Sequence, residues 1–276
     1  MSLLAAIASS RRRASVTYDT DAASYFAAVE AVSSIGTVAK NAANAYVVGL
    51  KAASLWTLIH QLYLYAGPNT LDGALVKAKG SGTRVNNGFV SGDFSPSLGL
   101  QGNGTSKHIT NGFLQNSFAA ASHSIFVYSS SGLAVSSGGG IVLSGSYGLA
   151  QSSLLNLEAY FNYYAGRGFR SASYTIGNFP VISTGLITSG SVMGSRTSLS
   201  LAKIYQNGAF PVSSTATVGV GFTNVDVSSF AQGPSATVSG FSADRRQVEA
   251  FAQGLNDTQA QQLHDLTTTY LNALNA

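Results

Sequence analysis

The chain has no cysteine among its 276 residues, which excludes a disulfide scaffold and cysteine-based zinc sites. Such a chain suits a reducing cytoplasm and equally a later life outside it. Charge is scarce as well. Asp, Glu, Lys and Arg make up 9% of the residues, against roughly 25% in an ordinary soluble domain. The polar surface must therefore come from Ser, Thr, Asn, Gln and Gly, groups that lose their water more cheaply than charges do. That points to extensive subunit contact, although a neutral β protein without a partner would have the same composition. The net charge is +4, and the run Arg11-Arg12-Arg13 supplies three of the positive charges. So small and local an excess does not make a nucleic-acid surface. The most apolar stretch, Leu55 to Ala66, is interrupted by His60 and Gln61 and is too short to span a bilayer. The apolar residues Leu3 to Ala8 precede the arginines, the reverse of the order in a signal peptide. Neither a nucleic acid nor a membrane is expected as a partner.

What is present changes character along the chain. Residues 1–18 show no helical period and read as an extended basic arm, either disordered or ordered against a neighbouring subunit through Arg11, Arg12 and Arg13. Residues 19–82 read as a helical head. Asp19 and Asp21 are N-cap candidates for a first helix carrying Tyr25, Phe26, Val29 and Val32. A second helix is expected over Thr37–Ala52. A third is expected over Ser54–Tyr65, with Leu55, Leu58, Ile59, Leu62 and Tyr63 as its stripe and Gly67-Pro68-Asn69 as its stop. Trp56, the single tryptophan, would anchor a core or an interface.

Residues 83–276 alternate apolar and polar positions in short runs between Gly-rich turns, which predicts a sandwich or jelly roll. Strands are expected at 118–129, 140–144, 155–164, 169–176, 181–187, 197–206, 216–222, 236–241 and 246–252. Asn207-Gly208 is the strongest hairpin signal. Asn256 followed by Gln259 predicts a capping box for a closing helix over 257–274, whose buried stripe would be Leu263, Leu266, Tyr270, Leu271 and Leu274.

Few residues offer chemistry. No two of His60, His108, His123 and His264 share a metal-ligand spacing, though His108 and His123 would suit cross-strand neighbours. A sugar hydrolase needs two carboxyls about 5–10 Å apart, and Glu158 and Asp226 are not paired by any sequence feature. Asp93 and Asp226 are the carboxylates placed in loops where calcium could bind, and ordinary turn residues explain them as well. The glycines from Gly99 to Gly104 precede Lys107, but Lys107-His108-Ile109 reads as a strand and not as the helix a phosphate loop requires. No metal or cofactor is expected, and no catalytic residue is assigned. The run Tyr160-Phe161-Asn162-Tyr163-Tyr164 places Tyr160, Asn162 and Tyr164 on one strand face, a surface for sugar rings or for a trimer axis if it is not simply core. Arg167, in the turn Gly166-Arg167-Gly168, and Arg170 just beyond are expected to be exposed beside it.

Several blocks resemble structural proteins of tailed bacteriophages. They are Ala45–Ala52, Leu55-Trp56, Ala66–Leu71, Ala74–Val76, Phe89–Asp93, Gly99–Lys107, Leu255–Asp257 and Tyr270–Leu274. They cover both ends and most of the head, and the strand-rich middle matches in pattern only. The resemblance implies a concanavalin A-like (laminin G-like) jelly-roll sandwich with an N-terminal helical subdomain and a C-terminal helix. It also implies a non-enzymatic virion component that touches other virion subunits, as a homo-oligomer expected to be a trimer. Two stations fit: a tail fibre or baseplate adhesin meeting a host-surface glycan, or a capsid decoration (cement) protein bracing shell subunits. A carbohydrate-binding or polysaccharide-degrading module is the remaining alternative.

Overall fold

The computed structural model describes residues 17–133, 141–147, 154–160, 167–171, 181–182, 187–215, 222–233 and 238–276. Four α-helices lie among them: α1 (Thr20–Glu30), α2 (Thr37–Ala52), the single-turn α3 (Leu71–Ala74) and α4 (Asp257–Leu274). The strands, in chain order, are β1 (Ile59–Leu64), β2 (Lys77–Lys79), β3 (Val85–Asn87), β4 (Phe94–Ser95), β5 (Gly99–Gln101), β6 (His108–Leu114), β7 (His123–Ser131), β8 (Ile141–Tyr147) and β9 (Leu154–Tyr160). They continue with β10 (Arg167–Ser171), β11 (Val181–Ile182), β12 (Gly190–Ser198), β13 (Leu201–Gln206), β14 (Ala209–Ser214), β15 (Asp226–Ser229), β16 (Gln232–Gly233) and β17 (Arg245–Ala252).

Among the described residues the strands form two sheets. The first runs β14-β13-β12-β7-β17-β1-β2, with β5 also on β17 and β4 on β5. The second runs β11-β10-β9-β8-β15-β6-β3, with β16 joined to β8. Side-chain alternation sorts the first sheet into two faces. Ile125 and Val127 of β7, Val192 of β12, Ile204 of β13 and Phe251 of β17 meet Ile109, Leu143, Leu155, Leu157, Phe169 and Val227 of the second sheet. Phe126, Met193, Tyr205, Val248 and Ala250 face the other way, onto the helices. The molecule is therefore a mainly β sandwich with a helical layer on one sheet, as the concanavalin A-like reading requires.

The helical layer follows from local signals. Asp19 caps α1 by accepting from the backbone N–H of Asp21 at 2.9 Å. Lys51 near the end of α2 bridges Asp19 at 2.7 Å and Asp21 at 2.6 Å, tying the start of α1 to the end of α2. In α4 the capping box forms as expected: Asn256 Oδ1 accepts from Gln259 N and Gln259 Oε1 from Asn256 N, each at 3.0 Å. The buried face of α4 is Ala260, Leu263, Thr267, Tyr270 and Leu271. Leu266 and Leu274 of the expected stripe are only partly buried. Tyr270 stacks on Tyr46 of α2 with ring centroids 5.2 Å apart. Its hydroxyl donates to Ala66 O at 2.6 Å.

The third expected helix is a strand. Ser54 takes φ 58 and ends α2, and β1 follows between β17 and β2. Leu62 and Leu64 face the helical core, while Tyr63 and Tyr65 face the sandwich core. A strand buried on both faces reads as a continuous apolar run and mimics a buried helix. The segment 19–82 is thus not wholly helical: it contributes β1 and β2 to the first sheet. Residues 197–206, expected as one strand, instead span the end of β12, a turn and β13. The Asn207-Gly208 hairpin is present, with φ of 52 and 72 at its two central residues.

Candidate functional site

Two polar regions stand out, and a single irregularity in β17 contributes to both. Ser129 of β7 pairs with Arg246, and Tyr128 pairs with Val248, so Gln247 is an extra residue. This bulge lets Arg246 and Glu249, three apart, point together into the space between the sheets.

There Arg246 uses all five of its N–H donors. Nε donates to Asp244 Oδ2 at 3.2 Å; Nη1 donates to Ser144 Oγ at 2.8 Å and Glu249 Oε1 at 2.9 Å; Nη2 donates to Leu143 O at 2.8 Å and Asp244 Oδ1 at 2.9 Å. The guanidinium also lies 3.9 Å from the centroid of the Phe230 ring. The carboxylates are completed by hydroxyls. Asp244 accepts from Ser129 at 2.5 Å and Ser242 at 2.6 Å. Glu249 accepts from Tyr65 at 2.7 Å, from Ser229 at 2.6 Å, and from Ser144. Burial opposes the charge on Arg246, but Asp244 and Glu249 outweigh it and hold its pKa above the ordinary value. All three charged side chains are 0% exposed, so this cluster of ionisable groups holds the sheets together and meets no substrate.

The second region is open. A groove of about 360 Å³ lies between α4 and the first sheet. Tyr128, Ser129 and Ser130 come from β7, Ser189 and Gly190 from the start of β12, Asn207 from the hairpin turn, Gln247 from the bulge, and His264 and Thr268 from α4. The His264 ring stacks on Tyr128 with centroids 5.9 Å apart and planes 18° from parallel. His264 Nδ1 and Ser191 Oγ are 2.8 Å apart. Burial lowers the pKa of His264 against the opposing pull of Asp265, which favours the neutral imidazole. Ser191, the hydroxyl partner of His264, is 1% exposed. Asn207 Oδ1 accepts from Ser191 N at 3.0 Å and Gln247 Nε2 donates to Ser97 O at 2.9 Å, which fixes both amides. Thr268 Oγ1 is buried and has no partner among the described residues. Among the described residues, no carboxylate, ammonium or guanidinium lines the groove. Fixed amides, hydroxyls and an aromatic ring, with no charge, suit a neutral polyhydroxylated ligand.

The residues expected from sequence lie elsewhere. Arg11, Arg12, Arg13, Asn162 and Tyr164 fall outside the described residues. Tyr160 ends β9, opposite Ile141. Arg167 is not in a turn: it opens β10 opposite Ile182, and Arg170 pairs with Asn156. Tyr160 and Arg167 thus sit toward the same end of adjacent strands of the second sheet. His108 and His123 are not cross-strand neighbours, since β6 and β7 belong to different sheets. Asp93 is occupied by Lys107, whose Nζ lies 2.6 Å from both carboxylate oxygens, so neither residue is open to calcium or phosphate. Asp226 begins β15 and is not in a loop. Among the described residues no three His, Asp or Glu side chains gather as a metal site. The groove was not foreseen, because its residues come from five separate segments between 128 and 268 and no spacing joins them.

No family model matches the chain, and no curated protein does. Solved structures do. The sialidase of Trypanosoma rangeli in complex with 2,3-difluorosialic acid aligns with a TM-score of 0.52 at 14% identity, over 78% of this chain and 33% of that one. A mutant of the same sialidase displaying trans-sialidase activity aligns with a TM-score of 0.52 at 16% identity, over 91% of this chain and 38% of that one. Domain 4 of a GH43 extracellular arabinanase from Geobacillus stearothermophilus, in complex with arabinotriose, aligns at 0.43 and 15% identity, over 75% of this chain and 99% of the domain. The chain spans about a third of the length of the sialidases it matches. At these identities the likeness to the sialidases is one of fold, and the fold it supports is the β-sandwich described above.

Proposed function

We propose that this chain is a non-enzymatic structural protein of a bacteriophage virion, an adhesin-type subunit of the tail whose sandwich binds a neutral glycan in the groove under α4. The observation that carries the binding half is the groove itself. Its amides are already oriented by Asn207–Ser191 and Gln247–Ser97 contacts, so little side-chain entropy is lost on binding. The virion half rests on the resemblance of the head and closing helix to phage structural proteins. In that setting the helical layer and the N-terminal arm attach the subunit to its neighbours, as a trimer whose symmetry the particle supplies.

Glycan-array binding by the full chain tests the first half. Neutral oligosaccharides are expected to bind, and Tyr128→Ala and Gln247→Ala are each expected to weaken binding about tenfold, or roughly 1.4 kcal/mol. A chain that binds no glycan, or binds it equally well with both substitutions, would remove the groove from the argument. Antibody labelling of assembled particles tests the second half. Label confined to the tail is expected; label spread over the shell would favour the capsid-decoration station, and unlabelled particles would end the virion reading.

A further inference from the structure

A larger groove, of about 430 Å³, opens at the other end of the first sheet. Strand β2 is the edge of that sheet and β3 is the edge of the second, so the sandwich is open between them. Val32, Leu75 and Val76 form an apolar wall, and Lys77, Arg84, Asn86, Gly82 and Asp72 complete the lining. Arg84 is held rigidly. Its Nη1 donates to Leu75 O at 3.1 Å and its Nη2 to Tyr65 Oη at 2.6 Å, while its guanidinium lies 4.0 Å from the Tyr63 ring centroid. Its Nε is buried and has no partner among the described residues. Lys77 Nζ donates to Gly82 O at 2.7 Å and also to Ser81 O, both backbone carbonyls.

We infer that this groove is a second binding site, specific for an oxyanion on a compact ligand, either a carboxylated sugar or a phosphate, held between Lys77 and Arg84. Three observations carry the inference. In a chain so poor in charge, two cations meet in one groove, and no carboxylate lies in ion-pair contact with either among the described residues. An N–H of Arg84 is left unanswered at the same place. The space and the apolar wall suit a body of about monosaccharide size. The two cations also disfavour each other: burial first, and then Arg84, push the Lys77 pKa down to about 8, with Asp226 of β15 opposing. An anion between them relieves that repulsion. Burial raises the pKa of Asp226 against the opposing pull of Lys77. Asp72 is exposed and well solvated where it lines the groove.

Calorimetric titration of the full chain with sodium glucuronate, sodium phosphate and, as the neutral control, glucose tests this. Glucuronate or phosphate binds in a Lys77-dependent way, whereas any heat from glucose belongs to the groove under α4 and is indifferent to Lys77; which of the two anions binds tells a sugar acid from a phosphate ligand. Lys77→Met weakens binding about tenfold, whereas Lys77→Arg preserves most of it. Affinity falls as the pH rises through about 8, where Lys77 gives up its proton. Gln247→Ala, in the groove under α4, leaves it unchanged, which separates this site from the neutral one. Absence of heat with both anions, or affinity indifferent to Lys77→Met, would overturn the assignment.

Discussion

The space between the sheets and the groove under α4 both carry hydroxyls and an aromatic ring, yet they use them in opposite ways. Inside, every donor of Arg246 and every oxygen of Asp244 and Glu249 has a partner, some charged and the rest hydroxyls or a backbone carbonyl. In the groove the described groups are neutral, and the Thr268 hydroxyl has no partner among the described residues. A guanidinium and two carboxylates inside the sandwich are tolerated only because each donor and lone pair is met. Removing one leaves the others stranded in a medium of low dielectric. Polar groups at a solvent-facing groove carry no such penalty, so they remain available to a ligand. Gln247, the extra residue of the bulge, stands at the boundary: its neighbours Arg246 and Glu249 close the interior while it lines the groove.

Substitutions should separate the two regions by size of effect. The largest is expected for Arg246→Met. It strands Asp244 and Glu249 and should cost about 3–5 kcal/mol of stability, read as a drop in the denaturant midpoint. An unchanged midpoint would mean that the interior cluster contributes nothing. Acid comes next. Burial, with help from Arg196 and against the Ala119 carbonyl, pushes the His123 pKa from 6.5 down to about 3. The unfolded chain takes up this proton near pH 6.5 and the folded chain only near pH 3, so stability is whole above that window and falls as the pH drops through it. Denaturation midpoints of His123→Gln and the parent, compared across that window, should show a shallower acid slope in the variant. Gly208→Ala should cost about 1–3 kcal/mol. Gly208 takes φ 72, and a Cβ there would lie 2.9 Å from Gln261 Cα on α4. The smallest effect is expected for Ser130→Ala in the groove, within about 0.5 kcal/mol. Its hydroxyl reaches Leu98 O at 3.4 Å and Arg245 O at 3.3 Å, long contacts that hold little. A loss as large as that at Arg246 would erase the distinction between interior and groove.

Local signals in the sequence were legible wherever one residue's chemistry decides a turn or a cap. Asp19, Asn256 with Gln259, and Asn207 with Gly208 do in the structure what their types predict. The segment 59–64 was not legible as a strand, because Leu62 and Leu64 bury on one side and Tyr63 and Tyr65 on the other. Alternation between apolar and apolar leaves no pattern to read. The interior cluster left one trace: Arg245-Arg246-Gln247-Val248-Glu249 puts charge into a strand of a chain that otherwise avoids it. Strict alternation would have set Arg246 and Glu249 on opposite faces, and only the bulge reunites them. The groove left none. Tyr128 and His264 stack across 136 positions of chain because α4 returns to the face of the first sheet over β7, a tertiary event without a local signature.

The position of β17 between β7 and β1 has a consequence for synthesis. A nascent chain carries β1 from its first quarter with nothing to pair on one side until residue 252 has emerged from the ribosome. Tyr46 must likewise wait for Thr267, 221 positions later, to satisfy its buried hydroxyl at 2.8 Å. Such distant pairings make assembly of the centre late and slow. Chains ending before β17 would display an unpaired, doubly apolar strand, a template for aggregation that β17 and the helix after it cover.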